Sequence, residues 1–533
     1  MRRVGARYPG CMPAVQDQES ASVRVAELVA LLSLGTDLGL GQPMEHMIRA
    51  CLVSLRLAER LQLPAAERRV LYYSGLLAWV GCHTDAYEQA KWLGDDLTMK
   101  RDAHYSYDFG RARDAATFVL KHVGAGKPVL ERVRMSIAFL GDGRRALEGL
   151  AQNHYQATDD LAARLGLGDD VRASLRQSFE RWDGKGAFGL RGEKILMSSR
   201  LINLADVVEV FRRTGGVEAA IAVARQRSGT HFDPALVKLF CDEAPDLFSG
   251  LDSVTSWDAV IAAEPTLAPR LWGERLDDAL EAIGAFAEMK SPWWLGHAQG
   301  VTDLAVRAAA GYGLSDAEVT LLRRAAAIHD LGGLGVSNLV WDKRGPLTQS
   351  ELERVRMHPY LCERMLAFSP ALARIGALAA QHHERMDGSG YPKGLKGDAI
   401  APAARLLAAA DVYHAMTELR PHRSARTPDE AAAALSAEVS AGRIDGAAAA
   451  AVLRASGHRA SKRREWPAGL TTREVEVLRL LARGLTTKEI AARLDIAPKT
   501  AANHVEHIYV KIDANNRATA TLFAMRHRLM SDS

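Results

Sequence analysis

Histidines and aspartates gather in the second half of the chain. His329 and Asp330 lie in AAAIHDLGGLGV, His358 in RVRMHPYLCERM, His382 and His383 in AAQHHERMDGSGYP, and Asp411 in AAADVYHAM. His297, in WWLGHAQGVTDLA, adds a further contact. Imidazole and carboxylate together suit borderline and hard divalent ions such as Fe, Mn or Zn. The set is large enough for two adjacent divalent ions with a bridging water or the Asp330 carboxylate, and Asp330 is the candidate catalytic residue. Two such ions hold both sides of a phosphoryl centre and activate a water for attack. The protein then supplies positioning and charge neutralisation. Taken singly, each residue reads as an ordinary core or cap residue. Adjacent His382 and His383 do not, because consecutive helical side chains diverge by about 100°. Gly388, Gly390 and Gly394 make a loop that can approach a ligand closely, and Tyr391–Pro392 gives it a wall. Arg385, Lys393, Lys396 and Arg405 are the candidate phosphate contacts. His414 and His422 are expected on the surface and Tyr413 in packing.

The elements that must hold these groups are helical, since apolar residues recur at three and four, as in MEHMIRACLVSLRLAERLQL from Met44. A chain of 533 residues with 48% hydrophobic and 25% charged side chains is a soluble protein of several domains, not a disordered one. The net charge of +4 becomes telling only where it concentrates, in GHRASKRREW at 457–466. Five cysteines without metal-ligand spacing fit free thiols in a reducing cytoplasm. Residues 1–22 read as a loose tail without a signal peptide, and Leu28–Leu34 is too short to span a membrane.

The chain carries an internal repeat. FERWDGKGAFGLRGEKI (Phe179–Ile195) parallels HERMDGSGYPKGLKGDAI (His383–Ile400), and each precedes an apolar helix bearing an aspartate, Asp206 or Asp411. The expected plan is a first copy at 23–240, a connector at 241–284, a metal-binding copy at 285–455, a basic linker at 456–467 and a C-terminal module at 468–533. In the first copy Ala78 and Trp79 fall where His329 and Asp330 stand, Ser178 and Phe179 replace the paired histidines, and GAF replaces GYP. His46, His154 and Asp206 remain. This copy is expected to be non-catalytic, leaving a cavity, a dimer face or a sensor pocket. Its stretch RDAHYSYDFGRARD (Arg101–Asp114) is expected as a solvated loop.

The tail from Leu470 to Leu529 reads as helix, turn, helix. Thr486 or Thr487 caps a short helix, Asp495 and Ile496 turn, and Pro498 opens the recognition helix. Lys499, Thr500, Asn503 and His504 are placed for phosphates and base edges, Lys511 and Arg517 for phosphates. LTTREVEVL, LARGLTTKEIAARL and Lys499–Thr500 resemble the LuxR-type helix-turn-helix domain. The resemblance implies a four-helix module that binds double-stranded DNA as a homodimer.

Residues 285–455 resemble an HD-GYP domain of the HD-type phosphohydrolases, on His329–Asp330, HHERMDGSGYP and Asp411. The strip Ala224–Phe240 resembles the end of such a domain. The resemblance implies His329, Asp330, His358, His382, His383 and Asp411 as ligands of two or three metals, and a small nucleotide such as cyclic diguanylate as substrate. One departure stands out: the family reads HD-x-GK, and Gly333 occupies the lysine position. Replacing Gly333 with lysine is expected to raise turnover if the missing donor limits the rate. The fold class is all-α, with tandem HD-type domains followed by the four-helix module. The leading function is a transcriptional regulator carrying a metal-dependent phosphodiesterase. An inactive metal or nucleotide sensor, and a phosphohydrolase of another nucleotide or phosphomonoester, remain open beside it.

Overall fold

The computed structural model describes residues 22–125, 127–252, 255–265, 270–457 and 466–530. The expected tail at 1–22 and the basic run at 457–466 lie almost wholly outside the described residues. Helices carry the architecture, with one antiparallel two-residue ladder among the described residues, Val23 opposite Leu271 and Arg24 opposite Arg270. That ladder ties the start of the first copy to the start of the second.

Many helix starts are written locally. Ser315, Thr348, Thr427, Thr471 and Thr486 each cap a helix, and a glutamate three residues on closes a capping box. Each box satisfies backbone N–H groups that the first helical turn leaves unpaired.

The repeat extends through the fold. Val25–Gly39 matches Gly273–Glu288, His46–Arg60 matches His297–Tyr312, Ala65–Leu77 matches Asp316–Ile328, and Met197–Gln226 matches Pro402–Thr417. The match reaches single hydrogen bonds. Asp37 accepts from the Met47 N–H at 3.0 Å, just as Glu288 accepts from the N–H groups of Gly296 and Ala298. Burial pushes both carboxyls up to about 8. The expected domain boundaries at 240 and 285 fall inside the helices Pro234–Phe248 and Gly273–Glu288.

One apolar core runs through both copies and into the C-terminal module. The first copy buttresses the second at its chemically important turn: Val25–Gly39 packs on Leu331–Gly335, with Leu334 against Gly35 and Leu38 against Gly335. Beneath it, Asp96 of the first copy accepts from the Ser337 hydroxyl at 2.9 Å and the Asn338 N–H at 2.8 Å. Asp96 also pairs with the fully buried Lys290 at 3.1 Å.

The C-terminal module has four helices, Thr472–Ala482, Thr487–Leu494, Pro498–Lys511 and Arg517–Arg526. It docks on the body through Arg526 with Asp160 and Arg528 with Glu281. Met530 packs directly on the backbone of Gly296. No helix among the described residues is long and apolar enough to cross a membrane.

Candidate metal centre

Helix ends deliver most of the candidate ligands. His297 opens the helix His297–Tyr312 and His358 opens His358–Leu366. His329 and Asp330 stand where Asp316–Ile328 gives way to the 3-10 turn Leu331–Gly335. His382 and His383 follow Pro370–Ala379, and Asp411 points from the middle of Pro402–Thr417.

Three of the imidazoles are oriented in the same way. His329, His358 and His382 donate Nδ1–H to the carbonyls of Ala326, Val355 and Ala379, at 2.8, 2.6 and 2.7 Å. A carbonyl only accepts, so the proton sits on Nδ1 and Nε2 is left bare and inward-facing, the form a metal binds. The Nε2 atoms converge on Asp330, at 3.5 Å from His329, 3.3 Å from His358 and 3.5 Å from His382. His297 Nε2 lies 3.1 Å from Asp411, and its Nδ1 lies 2.9 Å from Glu418. Three triads of potential donors result, His358–His382–His383, His297–His329–Asp330 and His297–His414–Glu418, each with its donor atoms within 4.8 Å of one another. Asp330 reaches toward the first as well as belonging to the second.

The electrostatics favour a cation. Burial would raise the Asp330 carboxyl, but the surrounding histidines hold it well below its ordinary value. Asp411 is likewise held far down against burial, chiefly by its bond to His297. Burial lowers His329 to about 4 and drives His383 well below the usual range, so both rings are neutral. His297, opposed by burial but set between Glu418 and Asp411, rises to about 10, so it carries a proton that an ion taking its Nε2 would displace. His329 Nε2 is buried without a hydrogen-bond partner. An orphaned imidazole nitrogen beside converging carboxylates fits a divalent ion and is costly without one.

One group lies elsewhere than the sequence reading put it. His414 is not on the surface: it is half-buried, stacks on His297 at 5.7 Å and lies 3.3 Å from Glu418. Asp411, His414 and Glu418 share one face by helical spacing, a signal that was there to be read. His422 is exposed, and Tyr413 is buried in the packing. Glu384 was missed as well. Its carboxylate accepts from the N–H groups of Lys393 and Leu395, each at 2.8 Å, and so shapes the GYP loop. Glu180 does the same for Phe188 and Leu190 in the copy that lacks the paired histidines. Glutamate in both copies therefore marks loop architecture.

The expected phosphate cations are mostly engaged. Lys393 pairs with Glu363 at 2.6 Å. Arg405 binds Asp398 and the carbonyls of Ile400 and Gly397. Lys393 thus ties the loop to the helix His358–Leu366, and Arg405 ties the turn at 397–400 to its own helix. Arg385 folds back onto the carbonyls of His382 and Glu384. Lys396 is exposed, with no ion pair among the described residues. Arg420, missed earlier, bonds Glu418 at 2.7 Å and lies 3.2 Å from His297.

In the first copy the equivalent place is filled. Trp79 packs on Phe179 at 5.4 Å and on His104 at 4.2 Å, and His154 packs on Phe179 at 4.9 Å. Tyr105 reaches in to His46 at 2.9 Å, and His104 bonds Asp206 at 3.0 Å. The stretch expected as a solvated loop is thus an inserted helical turn, Asp102–Ser106, that plugs the site. Packed rings replace the expected cavity or sensor pocket, because the aromatic side chains occupy the ligand volume themselves.

In the C-terminal module Lys499, Thr500 and Asn503 are exposed at the start of Pro498–Lys511, and His504 is half-buried. Lys511 and Arg517, expected at phosphates, are engaged within the module. Lys511 pairs with Glu474 at 2.7 Å, and Arg517 donates to the carbonyls of Gly484 and Leu485. Both hold the module together.

A family model described as HD domain matches residues 281–448, and one described as bacterial regulatory proteins, luxR family, matches 468–524. The chain is 34% identical over 421 residues to the 3'3'-cGAMP-specific phosphodiesterase 3 of Vibrio cholerae, across 77% of this chain and 90% of that one. This chain belongs to the HD-GYP family. Its HD-GYP half is of the metal-dependent hydrolase type and is fused to a regulatory output domain. A crystal structure of a cyclic GMP-AMP specific phosphodiesterase from Vibrio cholerae superposes with a TM-score of 0.55 at 29% identity, covering 81% of this chain and 98% of that one. The cyclic di-GMP phosphodiesterase response regulator RpfG of Xanthomonas campestris is 43% identical over 128 residues, 24% of this chain and 34% of that one.

The HD-GYP centre explains Gly333 in an unexpected way. A Cβ at Gly333 would lie 2.4 Å from Cη2 and 2.8 Å from Cζ3 of Trp294. Trp294 is 5% exposed, turned inward, and fills the space a lysine at 333 would need.

Proposed function

We propose that this HD-GYP chain hydrolyses a phosphodiester bond of a 3'3'-linked cyclic dinucleotide at a two-metal centre, and that occupancy of the centre is relayed to a DNA-binding dimer. His329, Asp330, His358, His382, His383 and Asp411 would hold the ions, with His297 completing the set and Asp330 between them. When bound, two divalent ions (Fe, Mn or Zn) supply charge and an activated water. The chain's own residues do the positioning. The Nδ1–H bonds of His329, His358 and His382 fix the rings, Glu418 orients His297, and Glu384 holds the GYP loop. Arg420 stands on the His297 side, bonded to Glu418.

The convergence of bare Nε2 atoms on Asp330 carries this reading. For the substrate, the relative matched over most of the chain is named for 3'3'-cGAMP, while the cyclic di-GMP relatives match shorter stretches; cyclic GMP-AMP is therefore ranked ahead of cyclic diguanylate. The relay would run through the docked module, since Met530 packs on Gly296, the residue before His297. Lys499, Thr500, Asn503 and His504 would read double-stranded DNA, with each module of a homodimer on one half-site.

The test is hydrolysis of both cyclic dinucleotides by the full chain loaded with Mn²⁺ or Fe²⁺, with the His329→Ala/Asp330→Ala variant as control. Turnover of one dinucleotide that vanishes in the variant is expected. A second reading, a sensor that binds but does not turn over, is favoured by Trp294 in the lysine's place and would appear as binding without product. Turnover of a phosphomonoester alone would replace the substrate class.

A further inference from the structure

Two indoles meet in the space left by the missing side chain at 333. Trp341 ends the short helix Asn338–Trp341. Its Nε1–H donates to the Gly333 carbonyl at 3.3 Å. Trp294 meets it edge to face, with centroids 4.6 Å apart at 80°. Trp341 also lies beside His358, at 5.8 Å between centroids and tilted by 60°. Trp341 is half-buried, so part of its ring is open. Across the triad, Tyr391 lies on His383 at 4.7 Å and is half-buried too. Two partly open aromatic rings therefore flank His358–His382–His383.

The helix under Trp341 is firmly held. Ser337 caps it, and Asn338 donates to the Lys290 carbonyl at 2.9 Å and to Asp342 at 2.8 Å. Asp96 of the silent copy takes the Ser337 hydroxyl and the Asn338 N–H. An aromatic ring fixed in this way loses little freedom on binding a flat partner.

We infer that Trp341 is a nucleobase-stacking residue of this centre, and that Trp294 is the positioning residue that holds it through the gap left by Gly333. The inference rests on the nucleotide reading above. Where a lysine at 333 would offer a cation to a phosphate, this chain offers an indole face to a purine. Every base has a π-face, so the wall selects for a nucleotide over a bare phosphoester without choosing the base.

The test uses the full chain loaded with Mn²⁺ and two probes measured by calorimetry, a linear guanylyl dinucleotide and inorganic phosphate. Metal content is checked for each variant. Trp341→Ala is expected to weaken dinucleotide binding about tenfold, with phosphate affinity and metal content unchanged. Trp341→Phe, which keeps a ring, should recover most of the loss. Trp294→Phe should fall between the parent and Trp341→Ala. Parental dinucleotide affinity in Trp341→Ala overturns the inference while leaving the nucleotide reading intact. Equal losses for phosphate and dinucleotide also overturn it, by giving Trp341 a merely structural role. A parent that binds phosphate but no dinucleotide takes down the nucleotide reading and this inference together.

Discussion

Gly333→Lys puts a long cation into space that the Trp294 indole already fills. A side chain at 333 begins 2.4 Å from Cη2 of Trp294. That indole is no flexible chain end, since it is 5% exposed and braced against Trp341. Something rigid must shift. Overpacking of this kind costs about 1–3 kcal/mol, and an ammonium left buried without a partner adds several kcal/mol more. The single substitution is therefore expected to destabilise the chain by about 3 kcal/mol or more and to gain no turnover. Urea unfolding followed by tryptophan emission, with metal content measured in parallel, gives the first number. Trp294→Gly in the same chain removes the obstruction. The double variant should be less destabilised than the sum of the singles by about 1–3 kcal/mol, because the two sites share one volume. A Gly333→Lys chain of parental stability, with raised turnover, would refute the steric reasoning.

Other perturbations test other parts. Asp96→Ala strands Lys290, which is fully buried, and Lys100 beside it; a loss of about 3–5 kcal/mol is expected in chemical unfolding, and a change under about 1 kcal/mol would show that the pair does not join the copies. Lys499→Ala should weaken DNA binding across sequences and lower the salt slope by about one, read by titration at several salt concentrations; Lys511→Ala should instead lower the stability of the module, since its ammonium is tied to Glu474. Glu384→Gln keeps the size of a side chain whose carboxylate accepts two loop N–H groups. Losing those charge-assisted bonds should cost about 1.5–3 kcal/mol and loosen the GYP loop, seen as faster amide exchange at Lys393 and Leu395.

Much of this was legible in the chain because it is written locally. Capping boxes, the HD pair, the double histidine and the repeat each fall within a few residues, so the helices and the set of clustered groups could be read directly. What stayed hidden depends on contacts across the fold. Nothing adjacent in sequence says that Trp294 fills the space beside Gly333, or that Tyr105 and His104 plug the first copy. Lys511 and Arg517 look like phosphate contacts until Glu474 and the Gly484 carbonyl are seen beside them. His414 and Glu418 are the exception. Their helical phase with Asp411 was visible, but a histidine without a motif around it reads as surface.

The most direct test of the central claim is metal analysis of the purified full chain after loading with Mn²⁺, Fe²⁺ or Zn²⁺, beside the His329→Ala/Asp330→Ala variant. The account predicts about two ions per chain in the parent and loss of most of them in the variant. No bound metal under any loading condition, or a variant that keeps its full complement, would contradict it.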